Sequence, residues 1–161
     1  RSSARRCMMT ITTTGEVSTR RRVVDLTLDL AGCTGDVPTL RVVEPSIGSG
    51  AFVGPMVRRL AMSGARWESM FDALRGYDLR TEHVMTCRKL AAAILTSAGC
   101  PMAVELAAAW FHTGDFLLGD VPTADLAIGD PPCIRVGNLD PALLATYRRK
   151  CPTMGGENAL P

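Results

Sequence analysis

The sequence predicts an α/β fold in which a parallel β-sheet is flanked by helices. Short apolar or β-branched segments alternate with longer stretches of helical period, and strands that are separated by helices typically form a parallel sheet. The 161 residues suffice for about one domain with a sizeable core. A hydrophobic fraction of 47% and a charged fraction of 21% are typical of a folded chain and not of a disordered one.

Each element is predicted from a local signal. Residues 1–19 are rich in Arg, Ser and Thr, show little periodicity and are predicted to be a tail or loop. Residues 20–31 space Val and Leu among charges as an amphipathic helix does, and Gly32 is a typical C-terminal signal of a helix. The strand predicted at 102–109 is rich in alanine, so a helix is the alternative there. The later elements are predicted in the order strand 40–44, helix 51–62, strand 72–77, helix 82–97, strand 102–109, strand 124–128 and helix 141–149.

Charge and cysteine usage limit the function classes. A net charge of +2 neither indicates nor excludes nucleic-acid binding. The six cysteines never fall within four residues of one another, and His83 and His112 have no ligand near them in sequence, so no metal site is expected. The longest apolar stretch, 102–111, is interrupted by Glu105 and is too short to span a bilayer. We therefore expect free thiols in a reducing cytoplasm and no membrane partner.

The most informative segment is residues 42–52, where a predicted strand, a glycine-rich loop and a helix start follow one another. Gly48 and Gly50 allow the backbone to turn tightly and to approach a ligand, and the helix start offers free N–H groups. A phosphate-binding P-loop is excluded because no lysine follows the glycines. A dinucleotide fingerprint fits poorly, since Val53 takes the place of its third glycine and Glu44 would repel a pyrophosphate.

Two interpretations of this loop remain open at this point. S-adenosylmethionine carries an ammonium group, so an acid such as Glu44 at the end of the strand would favour it. An ordinary glycine-rich turn between a strand and a helix is the alternative. The second motif, at residues 127–136 after the last predicted strand, bears on the choice.

Together the two motifs resemble those of the N6-adenine DNA methyltransferases of restriction–modification systems. The first motif of that family reads D/E-P-A/S-x-G-S/T-G-x-F, and the second reads N/D-P-P-Y/F, commonly followed by Ile/Val-Arg. Cys133 departs from the second pattern, because it stands where the family has an aromatic residue. The matching residues are Glu44, Pro45, Ser46, Gly48, Ser49, Gly50 and Phe52 in the first motif, and Asp130, Pro131, Pro132, Ile134 and Arg135 in the second.

The resemblance implies a Rossmann-like class I methyltransferase fold and S-adenosylmethionine as the cofactor, held by the first motif. Residues 15–19 resemble an upstream segment of the family, in which Thr19 would help to hold the methionine carboxylate. Asp78 would accept from the ribose hydroxyls, Asp115 would accept from the adenine amino group, and Phe116 would stack on that adenine. The alternative role of an isolated Asp after a strand is to cap a helix or form a turn.

For catalysis, the resemblance implies that Asp130 and the carbonyl of Pro131 hold the hydrogens of an adenine amine flipped out of double-stranded DNA. Pro132 and Cys133 complete the motif, but a thiol cannot stack on a base as an aromatic ring does. The function implied is therefore an adenine-specific DNA methyltransferase. The alternatives are an inactive remnant that binds S-adenosylmethionine and, less favoured by the two motifs, a NAD-dependent oxidoreductase.

The resemblance also implies a domain organisation. Residues 1–19 would be a tail that carries the upstream cofactor motif, and 20–156 a partial methyltransferase domain. Residues 157–161 would be a tail that does not match the family. Because the family pattern runs on beyond Gly156 into a region that recognises DNA, we expect a fragment whose DNA recognition resides elsewhere.

Overall fold

Four strands form one parallel sheet, and its order is β3-β2-β1-β4. The computed structural model describes residues 20–33, 40–132, 134 and 136–151. The strands are β1 (Val42–Glu44), β2 (Leu74–Asp78), β3 (Phe111–Thr113) and β4 (Leu126–Ala127). The helices are α1 (Arg21–Leu30), α2 (Val53–Met62), α3 (Thr81–Ser97), α4 (Ala103–Trp110) and α5 (Pro141–Lys150), with two 3-10 turns at Trp67–Met70 and Val136–Asn138.

The α/β prediction is confirmed, as is a parallel sheet flanked by helices. The helices predicted at 20–31, 51–62, 82–97 and 141–149 form with small shifts of their ends, and so do the strands predicted at 40–44, 72–77 and 124–128. None of the helices described has both the length and the hydropathy that crossing a bilayer requires.

The strand predicted at 102–109 is wrong, because this segment forms helix α4. Its buried residues are Ala103, Leu106, Ala107 and Trp110, which are spaced as one face of a helix and not as alternate residues of a strand. Alanine has the highest helix propensity, and three consecutive alanines lie within the segment. The third strand, β3, begins at the next residue, Phe111.

The core lies between the sheet and the helices. Helix α3 packs on both α2 and α4, and α1 packs on α2. Leu28, Leu60, Leu95 and Leu106 are each at most 2% exposed, so four successive helices contribute a leucine to one core. The indole Nε1 of Trp110 donates to the carbonyl of Met70 at 2.8 Å, which satisfies the polar atom of the largest buried side chain.

The order of the strands puts a topological switch point between β1 and β4. From β1 the chain proceeds outward to β2 and β3, and it then returns to pair β4 with the other side of β1. In open α/β sheets, ligands bind beyond the carboxyl ends of the strands at such a point. The loops that follow β1 and β4 are the ones that carry the two sequence motifs.

Candidate functional site

The loop after β1 is a tight turn that depends on its glycines. Gly48 and Gly50 have φ angles of 49° and 91°, which lie in the left-handed region that other residues rarely adopt. A Cβ on Gly50 would lie 3.2 Å from the Sγ of Cys87 in α3, so a larger residue would also crowd the helix beneath. The amide of Ile47 donates to the carbonyl of Tyr77 at 2.9 Å and joins the loop to β2. The shape of the loop therefore depends on its glycines and on its hydrogen bond to β2.

Glu44 is the buried acid of the site. It is 2% exposed at the carboxyl end of β1, and its Oε2 has no hydrogen-bond partner among the described residues. Burial raises the pKa of Glu44 well above its ordinary value, and the nearby Asp78 carboxylate raises it further. A buried carboxyl group in this condition gains most from a cation or a strong donor brought by a ligand.

Asp78, the last residue of β2, joins three segments of the site. Its Oδ2 accepts from the amide of Gly48 at 2.9 Å and lies 3.0 Å from the Nδ1 of His83, while its Oδ1 accepts from the amide of Arg80 at 2.8 Å. Its backbone carbonyl accepts from the amide of Gly114 at 2.9 Å. The glycine-rich loop, the start of α3 and the end of β3 are thus tied to one residue.

Asp115 and Phe116 lie in the loop that follows β3. The Oδ1 of Asp115 accepts from the amides of Leu117 and Leu118 at 2.9 and 3.2 Å, so this carboxylate does form a turn, as the alternative role predicted. The ring of Phe116 meets that of Tyr77 edge to face, with 5.8 Å between centroids. Phe116 therefore lies beside the end of β2, near Asp78.

The second motif meets the first one beside Glu44. Ile128 continues the pairing of β4, because its amide donates to the carbonyl of Val43 at 2.9 Å. A Cβ on Gly129 would lie 3.3 Å from the Cγ of Glu44, so the chain passes directly over this acid. Asp130, Pro131 and Pro132 follow at the surface and are exposed.

The remaining sequence-predicted site residues divide into three groups. Pro45 and Ser46 are half-buried in the loop after β1. Phe52 is 3% exposed and packs into the core at the start of α2. Thr19 and Cys133 lie outside the described residues. The structure thus brings the strand-end residues Glu44 and Asp78 to the carboxyl ends of the parallel strands, together with the loops that contain Gly48, Asp115 and Asp130.

Three residues near the site were missed by sequence reasoning. His83 lies in the first turn of the helix after β2, where it reaches back to Asp78. The thiol of Cys87 lies 3.7 Å from the carbonyl of Gly48, and burial together with Glu44 and Asp78 raises its pKa to about 12. Tyr147 of α5 contacts Asp115. For His83 a signal was available, namely its place one turn after the strand-end acid, whereas the other two contacts connect distant segments.

No group of three potential metal-ligating side chains lies close together within the part of the chain that the structure describes.

Comparison with known proteins identifies relatives. Three type II methyltransferases are similar: M.PaeR7I of Pseudomonas aeruginosa at 35% identity, M.XhoI of Xanthomonas vasicola at 32% and M.BstVI of Geobacillus stearothermophilus at 32%. Each match covers 87% of this chain but only 26%, 28% and 28% of the respective relative. No family profile matches the sequence, and no solved structure is significantly similar to it.

The matched segment includes most of the chain, and its fold is the parallel α/β architecture that the methyltransferase resemblance implied. The chain spans about a quarter of the length of the curated relatives it matches. Over 87% of its length, the chain is therefore similar in sequence to part of these type II methyltransferases.

Proposed function

We propose that the chain carries the cofactor-binding and catalytic part of an adenine-specific DNA methyltransferase, which transfers a methyl group from S-adenosylmethionine to N6 of an adenine. One observation supports this above the others. The unpartnered Oε2 of Glu44 is buried where the glycine-rich loop and the Asp-Pro-Pro segment meet at the switch point of the sheet. An ammonium-bearing cofactor is the ligand that such an acid fits best.

The residues present fit the rest of S-adenosylmethionine as well. In this proposal the left-handed turn at Gly48 and Gly50 admits the amino-acid part of the cofactor, while Asp78 receives the ribose. Asp115 and Phe116 receive the adenine, and Thr19 helps with the methionine carboxylate. An anionic pyrophosphate would instead meet Glu44 and Asp78, which disfavours a nicotinamide dinucleotide at the same place.

The chemistry asks the protein to position and polarise an amine. When bound, S-adenosylmethionine supplies a methyl group that is attached to a positively charged sulfonium sulfur. Once the methyl group has been transferred, this sulfur is a neutral thioether. The target amine is a poor nucleophile because its lone pair is delocalised into the ring. We propose that Asp130 and the carbonyl of Pro131 accept hydrogen bonds from the amine, which lets the nitrogen become tetrahedral as it attacks. The methylated nitrogen would then release one of its hydrogens as a proton to Asp130 or to water. Holding the amine in line contributes several kcal/mol in well-oriented systems.

The proposal extends to DNA and to the domain organisation. Residues 20–156 would form the methyltransferase part, between a tail at 1–19 that carries the upstream cofactor motif and a tail at 157–161. The adenine would be flipped out of double-stranded DNA in the cytoplasm, and sequence recognition would require regions that the longer relatives have. Cys133 in place of an aromatic residue would weaken capture of the base by roughly 1–3 kcal/mol.

Calorimetric titration with S-adenosylhomocysteine tests the cofactor assignment. We expect the wild-type chain to bind it, and Glu44→Gln to bind it about tenfold more weakly, since a hydrogen bond to a charged group contributes roughly 1.5–3 kcal/mol. Asp125→Asn, which alters an exposed ion pair at the amino ends of β1 and β4, is the matched control and should bind as the wild type does. Binding of NADH in place of S-adenosylhomocysteine would contradict the proposal.

Methyl transfer is tested by the product. S-adenosylmethionine tritiated in its methyl group is incubated with duplex DNA and with a protein that contains this chain together with the regions that its longer relatives have. The DNA is then digested to deoxynucleosides. We expect label only in N6-methyl-2′-deoxyadenosine, loss of this label in Asp130→Ala and more of it in Cys133→Tyr. Label in a methylated cytosine would overturn the adenine assignment, and cofactor binding without any transfer would favour the inactive remnant.

A further inference from the structure

Tyr147 makes a contact that the methyltransferase motifs do not account for. It is the buried residue of α5 and is 8% exposed. Its hydroxyl donates to the Oδ2 of Asp115 at 2.5 Å, across 32 residues of sequence. A helix that follows the Asp-Pro-Pro segment thereby reaches the loop after β3.

The rest of α5 contacts the same loop through polar groups. The Nζ of Lys150 donates to the carbonyl of Leu118, and the Sγ of Cys151 lies 3.8 Å from the carbonyl of Leu117. The start of the helix is capped by its own Asp140, which accepts from the amides of Ala142 and Leu143 at 2.9 and 3.1 Å. The helix is therefore well formed locally, while its placement on the loop depends on Tyr147 and a few hydrogen bonds.

Among the residues that the structure describes, the hydrogen bonds of Asp115 leave one acceptor position. A carboxylate offers about four lone-pair sites. Two are used on Oδ1 by the amides of Leu117 and Leu118, and one is used on Oδ2 by Tyr147. One site on Oδ2 remains for a donor from a ligand, and the tyrosine hydroxyl fixes the direction in which this site points.

The hydroxyl of Tyr147 is protonated at neutral pH and can donate a hydrogen bond. Burial raises the pKa of Tyr147 to about 12, and the hydrogen bond to Asp115 raises it in the same direction. At neutral pH the phenol keeps its proton, and its O–H donates a hydrogen bond to the carboxylate. A donor in this position also anchors the carboxylate against rotation, which two amides on a single oxygen cannot do.

We propose that Tyr147 is a positioning residue for the cofactor: it holds Asp115 and its loop in the orientation that accepts the adenine amino group. This inference rests on the proposed function. It also connects two parts of the site, because α5 follows the Asp-Pro-Pro segment and Asp115 belongs to the cofactor loop. Binding of the cofactor and placement of the base-binding segment are coupled through one hydroxyl.

Removal of that hydroxyl tests the inference. We expect Tyr147→Phe to bind S-adenosylhomocysteine about five- to tenfold more weakly and to exchange the amide hydrogens of Leu117 and Leu118 faster. Thr146→Val is the matched control, because it removes a hydroxyl from the neighbouring residue. The bonds of that hydroxyl, to the carbonyl of Ala142 and from the Nη2 of Arg149, lie within the same helix. It should leave both measurements unchanged.

A double-mutant cycle separates positioning from a general loss of stability. If Tyr147 acts through Asp115, then Asp115→Ala combined with Tyr147→Phe should lose no more affinity than Asp115→Ala alone. Additive losses would overturn the inference, and so would an unfolded Tyr147→Phe, which would make the residue part of the general core. If the wild type binds S-adenosylhomocysteine and Tyr147→Phe binds it equally well, the inference is overturned and the proposed function stands. If the wild type does not bind it, both are overturned.

Discussion

The acidic residues at the two ends of the parallel strands differ in their partners. We call the surface at the amino ends of the strands the amino edge and the surface at their carboxyl ends the carboxyl edge. At the amino ends of the strands, acids are paired with arginines: the carboxylate of Asp125 accepts from the Nε and Nη2 of Arg41 at 3.0 and 2.9 Å, and Asp72 pairs with Arg75 at 2.6 Å. At the carboxyl ends, the partners of Asp78 and Asp115 are backbone amides, an imidazole and a phenol. Glu44 has a buried oxygen with no partner among the described residues.

The difference distinguishes carboxylates that are neutralised by an arginine from carboxylates whose charge could still interact with a ligand. An arginine neutralises its carboxylate and fills two acceptor positions at once. Amides and hydroxyls orient a carboxylate without cancelling its charge, so a ligand that brings its own cation or donors is still attracted. Under the proposed function, the carboxyl edge would meet a ligand, whereas at the amino edge the Arg41–Asp125 pair joins the segments that enter β1 and β4.

The largest expected effect tests how tightly the carboxyl edge is packed. A Cβ on Gly76 would lie 2.6 Å from the Cγ2 of Ile47 and 2.7 Å from the Cδ1 of Phe111. We expect Gly76→Ala to lower the free energy of unfolding by about 1–3 kcal/mol, the usual cost of overpacking. Urea denaturation measures it, with Gly114→Ala as the control because no atom lies within 4 Å of its added Cβ. Equal stability of the two variants would contradict the close packing.

The second effect is a pH dependence that belongs to Glu44. Because its pKa is raised in the folded state, the folded protein binds more protons than the unfolded chain once the pH exceeds the ordinary value of 4.5. The free energy of unfolding should then fall as the pH rises from about 4.5 toward neutral, and Glu44→Gln should remove this part of the slope. Denaturation curves at pH 5 and 7.5 measure the difference. An identical slope in both proteins would mean that the acid is already compensated.

The smallest effect concerns the amino edge. The hydrogen bonds from Arg41 lower the pKa of Asp125 to about 2 from 3.8. The contribution of this pair is present above pH 4 and is lost as the pH falls toward 2, and salt should weaken it because both groups are exposed. We expect Arg41→Ala to lower the thermal midpoint slightly at pH 7 and not at pH 2. Loss of S-adenosylhomocysteine binding in this variant would contradict the assignment of this ion pair to stability and not to ligand binding.

Local signals predicted most of the fold, and they failed in α4, where exposed positions such as Val104 and Ala108 are also apolar and hide the period. The amphipathic α1 was predictable because its apolar residues stand among charges. Helix α4 was misassigned because it is apolar on most sides and short, although the spacing of Ala103, Leu106, Ala107 and Trp110 is helical. The place where a strand such as β3 begins, directly after a helix, is decided by pairing with β2 and not by its own three residues.

For the site, sequence reasoning gave the strand-end acids and the glycine turn because these lie within short motifs. It could not give Tyr147 as the partner of Asp115 or Cys87 beneath Gly48, because those contacts join segments more than thirty residues apart. The turn-forming role of Asp115 was foreseen only as the alternative, and the structure has it together with a remaining acceptor position.

The ion pair between Arg41 and Asp125 also bears on how the site comes into being. The two residues are 84 positions apart in sequence, and β4 can pair with β1 only after the chain between them has folded back to β1. Parallel pairing over such distances is slow to form, because loop-closure entropy is lost before the contacts compensate for it. The half of the site contributed by β1, β2 and β3 is assembled from nearer segments. We therefore expect a folding order in which the acids and the glycine turn come together first, and the Asp-Pro-Pro segment is added last.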